Sequence, residues 1–150
     1  MRVEAREKQR VAVFAGDRLI ADQVAWCDDR AGRGRGLMGR SAIGAREGLL
    51  MVLPPYQQGR RHLWVSIHML FVPFPLAVAW LDRQGRVVHS LLARPWRPYY
   101  SSPHPAWYTL ELHPARLDCL RPDTPIRWDS AGAGSGAGAD IVPADVSGGI

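Results

Sequence analysis

The chain has 150 residues, 47% of them hydrophobic; that suits one domain with a core of its own and excludes a disordered or fibrous protein. Lys and Arg number 19 and Asp and Glu 14. Three of the acids (Asp129, Asp140 and Asp145) lie beyond Trp128, where there is no base, so residues 1–128 hold 19 bases against 11 acids. Two cysteines, Cys27 and Cys119, exclude a disulfide scaffold, stand in no metal or redox spacing, and read as small half-buried hydrophobes.

Gly 15 and Pro 12 punctuate the chain too often for long helices. An all-β or mostly β fold in a single domain is expected. Residues 1–10 are charged and lack an apolar h-region, so they read as an extension and not as a secretory signal, and a cytoplasmic protein is expected. Val11–Phe14, the turn residues Gly16-Asp17 and the apolar stretch to Trp26 predict a β-hairpin. Asp28 or Asp29 could cap a turn or two of helix through Arg30 to Leu37, weakened by glycines 32, 34 and 36. Gly48–Leu53, stopped by Pro54-Pro55, reads as a buried strand.

Leu63 to Leu81 is nearly uncharged and long enough to suggest a membrane span. Ser66, His68, Pro73 and Pro75 argue instead for two buried strands, Leu63–His68 and Leu76–Leu81, and no membrane partner is expected. Asp82-Arg83-Gln84-Gly85 then predicts a tight hairpin turn into Arg86–Leu92. Pro95–Pro105 is a loop, Trp107–Leu112 a strand, and Ile126–Trp128 the last strand of a domain running from residue 11 to residue 128. Ser130 to Ala139 alternates glycine with alanine or serine, and residues 129–150 read as a flexible tail.

These segments resemble the bacterial and archaeal family named domain of unknown function 192. The resemblance rests on Arg33-Gly34-Arg35-Gly36-Leu37-Met38-Gly39-Arg40, Glu47–Leu50, Ile67-His68 and Phe74-Pro75-Leu76. It continues in Trp80-Leu81-Asp82, Gly85–Val88, Arg94-Pro95-Trp96 and Leu110-Glu111-Leu112. It implies a mostly β fold, a small compact barrel- or sandwich-like single domain with one or two short helices, and no established activity. Where relatives carry a Met-Arg pair this chain has Val72-Pro73, and Ala77 stands at their aspartate, so it resembles a divergent member.

His68 is the first candidate for chemistry, with Ser66 on the same face of a strand and Asp82 as an acid. No Gly-x-Ser-x-Gly elbow accompanies them, so a hydrolase is the alternative and a non-catalytic domain the leading expectation. The five histidines stand in no ligand spacing, and neither metal nor cofactor is expected. Arg40, Arg94 and Glu111 admit two readings: an ion pair tying loop to sheet, or, with His68 and Trp96, a cationic pocket for a small anion. A protein partner is the other binding option. Arginines are scattered apart from Arg33–Arg35 and Arg60–Arg61, which favours solvated surface charge over nucleic-acid binding. Trp64, Trp80, Trp96, Trp107 and Trp128 read mostly as core or rim, and Tyr99 and Tyr100 as an exposed edge.

Overall fold

The structure, a computed structural model, describes residues 9–29 and 36–130. Seven strands form one sheet: β1 (Arg10–Ala15), β2 (Arg18–Cys27), β3 (Glu47–Val52), β4 (Leu76–Leu81), β5 (Val87–Ala93), β6 (Tyr108–Leu112) and β7 (Ile126–Ser130). Their order is β5-β4-β6-β3-β2-β1-β7. Neighbours run antiparallel except β2 and β3, which are parallel.

Local chemistry accounts for the hairpins. Gly16 turns β1 into β2 at φ 59°, a left-handed conformation that glycine adopts without strain. After β4, the Asp82 carboxylate accepts the backbone N–H groups of Gln84 and Arg86, both at 2.9 Å, and Gly85 completes the turn at φ 83°. The sheet curls until its edges meet at one end. There Val87 N–H donates to Thr124 O, Asp123 N–H to Val87 O, and Ile126 N–H to Gly85 O. Such closure protects backbone groups that an open edge would leave unpaired.

Curling divides the apolar residues into two cores. Inside the half-barrel lie Val13, Ile20, Leu50, Ala79, Leu110 and Leu112, with Leu120 after the 3₁₀ helix Pro114–Cys119 packed among them. On the outer face, Leu49, Met51, Leu76, Val78 and Trp80 pack beneath the long connection from β3 to β4, which contributes Val65, Ile67 and Met69. β4 is buried along its whole length because it faces both cores. Gly48 permits a close approach of β3 to β6: a Cβ there would meet the Glu111 carbonyl oxygen at 2.6 Å.

Several expectations are corrected. Leu63–His68 is not a sheet strand; His62–Val65 forms a 3₁₀ helix, entered through His62 at φ 58°, and leaves Leu63 and Trp64 exposed. The alternation seen in the sequence persists from Val65 on. Val65, Ile67 and Met69 are buried and Ser66, His68 and Leu70 exposed, but only Ile67 makes a β-bridge, to Tyr100. Trp96 is exposed too, whereas Trp80 is fully buried and donates its indole N–H to Val65 O at 2.7 Å. Tyr100 is half-buried, its hydroxyl accepting the Arg94 N–H, so only Tyr99 forms the exposed edge. The helix expected at residues 30–37 falls mostly outside the described residues, as does the tail beyond Ser130. Gly36–Gly39 is a turn. No helix among the described residues is long and apolar enough to cross a membrane.

Candidate functional site

β6 alternates its side chains between the two cores. Tyr108, Leu110 and Leu112 turn inward, while Thr109 and Glu111, two residues apart, share the outer face. Register places Thr109 between Met51 and Trp80, and Glu111 between Leu49 and Val78. Both polar side chains are buried, Glu111 at 5% exposure and Thr109 at 0%. Both line a cavity of about 340 Å³ enclosed by the outer face of the sheet and the β3–β4 connection.

Three thioethers, from Met38, Met51 and Met69, give this cavity a soft apolar wall with Ile67 and Leu76, and Ser66, His68 and Tyr56 lie along its polar side. Thr109 Oγ1 has no hydrogen-bond partner. The Glu111 carboxyl forms neither a hydrogen bond nor an ion pair among the described residues, and burial pushes its pKa up to about 7. An unpartnered buried hydroxyl and carboxyl are each costly, so their adjacency beside open space is the main chemical feature of this face.

The candidates named from sequence divide. His68 and Glu111 meet at this cavity; Arg94 and Trp96 are not among its lining residues. Arg40 lines a second cavity, which adjoins the first at Gly36 and Leu37. Arg40 pairs with Glu47 at 2.5 Å instead of reaching Glu111. That guanidinium holds the Glu47 carboxyl below the usual range, and the Gly44 N–H adds to the effect. The Trp96 ring packs edge-on against Phe71 at 5.6 Å. Both residues adopt positive φ and are held by Trp96 N–H to Met69 O and Gly39 N–H to Phe71 O. Among the described residues, no one cavity therefore holds Arg40, His68, Arg94, Trp96 and Glu111 together.

The geometry also separates the hydrolase candidates. Ser66 Oγ donates to Leu63 O, and Asp82 is engaged in its own turn. His68 hydrogen-bonds to neither, so no nucleophile–base–acid chain exists among the described residues. No group of three metal-ligating side chains gathers there either. Of the positions that depart from the family pattern, Ala77 faces the barrel interior and Pro73 is exposed, whereas Val72 lines the cavity. Thr109 was not singled out from the sequence. The signal was available in its i, i+2 relation to Glu111 on a strand whose leucines face the other way.

Similar folds occur among solved structures. A protein of unknown function from Novosphingobium aromaticivorans DSM 12444 superposes with a TM-score of 0.67 at 18% identity, covering 85% of this chain and 90% of its own. A protein from Sinorhizobium meliloti 1021, described as a proposed transcription regulator, gives 0.66 at 22% identity, covering 81% of this chain and 93% of its own. At such identities the likeness concerns the fold. No curated protein matches the sequence. The sequence pattern of the uncharacterised family DUF192 (Uncharacterized ACR) matches residues 11–127, the same span that folds into the half-barrel, and the chain belongs to that family.

Proposed function

We propose that this protein is a non-catalytic small-ligand-binding domain whose ligand occupies the cavity between the outer face of β3, β4 and β6 and the β3–β4 connection. One observation carries this reading: Thr109 and Glu111, buried on one face of β6, present unpartnered polar atoms to a cavity with an apolar wall of methionine, leucine and isoleucine side chains. Binding sites for small molecules share that makeup, a concave apolar wall with a few convergent polar groups. The volume, about 340 Å³, lies at the small end of such sites and suits a ligand on the order of ten non-hydrogen atoms. Among the described residues the cavity is lined by the Glu111 carboxyl and by no arginine, which favours a cationic or neutral polar head group over the small anion named from the sequence.

Methionine supplies the test. Three of the four methionines line the cavity, and Met1 lies in the N-terminal extension. In the full chain labelled with ¹³C at the methionine methyls, a cavity ligand should shift Met38, Met51 and Met69 and leave Met1 in place. A diverse fragment set at millimolar concentration that moves none of the three would end this reading.

A further inference from the structure

We propose that the ligand is a protonated primary amine on a compact apolar, preferably aromatic, body, its ammonium held between the Glu111 carboxylate and Thr109 Oγ1. This deepens the binding reading above and rests on it. Among the described residues that line the cavity there is no arginine or lysine, and Glu111 is the one acid. An ionised carboxylate is an acceptor only, and a threonine oxygen can accept as well, so both atoms are satisfied by one group that donates more than one hydrogen bond. An ammonium does this and neutralises the buried charge; an alcohol does the first in part, and a carboxylate does neither.

The walls agree with the body. Thioether sulfur packs favourably against aromatic edges, and three methionines offer an adaptable surface of that kind. The binding has a proton linkage, because Glu111 is held partly protonated near neutrality by burial. Amine binding requires the carboxylate, so affinity should rise from pH 6 to pH 8. Among the described residues the other titratable groups facing the cavity are His68 and Tyr56, both from the β3–β4 connection. β3 and β4 present only Met51 and Leu76 to it, Leu53 follows directly after β3, and Arg40 opens on the adjoining cavity.

Three probes of similar size separate the outcomes: 2-phenylethylamine, 2-phenylethanol and 3-phenylpropionate, titrated into the full chain at pH 8 and followed by the methionine methyls. The amine should bind at least about tenfold more tightly than the alcohol, and 3-phenylpropionate most weakly. Glu111→Gln should remove the amine preference and its pH dependence while leaving the alcohol within about twofold. His68→Asn should leave the rise between pH 6 and pH 8 in place. Equal or tighter binding of the alcohol or the carboxylate overturns the amine assignment and leaves the cavity reading standing, as does a preference that survives Glu111→Gln. If no compound of any class moves Met38, Met51 or Met69, both fail. Should the glutamine variant not fold, the wild-type pH profile decides, since an amine affinity that is flat or falls from pH 6 to pH 8 is incompatible with the proposal.

Discussion

The strands β3, β6 and β4 carry two faces of opposite character. Toward the barrel interior they offer Leu50, Leu110, Leu112, Ala77, Ala79 and Leu81, all completely buried and all apolar. Toward the outer layer the same strands offer Leu49, Met51, Val78 and Trp80, with Thr109 and Glu111 among them. The interior is closed by the sheet curling on itself, its strands packing on one another with Leu120 among them. The outer face is covered by a connection lying outside the seven-stranded sheet, tied on by backbone contacts such as the Ile67–Tyr100 bridge and the Met69 N–H to Arg97 O bond. Burial on the inside therefore serves cohesion, while the looser cover outside leaves room for a cavity and tolerates polar groups that a tight core would exclude.

The sharpest way to break this comparison is a cavity on the inner face. Leu110→Ala should cost about 3–4 kcal/mol in urea unfolding, since a fully buried leucine loses both transfer energy and packing. A cost below about 1 kcal/mol would mean that the interior is not the cohesive face.

The outer face should declare itself through pH. The Glu111 pKa rises from 4.5 to about 7 on folding, so between those values the unfolded chain has lost a proton that the native chain keeps. The group's contribution is most favourable below pH 4.5 and falls as pH rises, reaching a loss on the order of 3 kcal/mol above pH 7. Glu111→Gln should flatten that slope in denaturation measured from pH 5 to pH 8. Glu47 works in the opposite sense and in a lower window: its depressed pKa gives stability that is lost as pH falls below 4.5, so the two carboxyls are distinguishable.

A smaller effect with an informative sign is expected at Thr109. Removing a buried hydroxyl that bonds to nothing, at nearly constant volume, should leave stability unchanged or raise it by about 1 kcal/mol in Thr109→Val. A loss above that size in thermal or urea unfolding would show that the hydroxyl has a structural partner and that the outer face resembles the inner one.

Much of the architecture was legible in local chemistry. Gly16-Asp17 and Asp82–Gly85 announce their hairpins because turn geometry depends on a few adjacent residues. The apolar runs at residues 48–53 and 76–81 announce buried strands for the same local reason. The stretch from Leu63 to His68 misleads because alternation records which side chains are buried, not whether a sheet neighbour exists to accept the backbone bonds. Arg40 and Glu111 looked like partners because charges attract; the fold gave Arg40 a nearer acid in Glu47 and sealed Glu111 behind the connection.

The sequence by itself determined the strands, their turns, the inward leucines of β6 and the outward position of Glu111, all consequences of interactions within a few residues or of the two-residue strand period. Only the tertiary structure decided that Thr109 and Glu111 would be left without partners beside a cavity, with His68 on its edge and Arg94 and Trp96 elsewhere. Those outcomes depend on which distant segments the curled sheet brings over its outer face, and no local pattern encodes that choice.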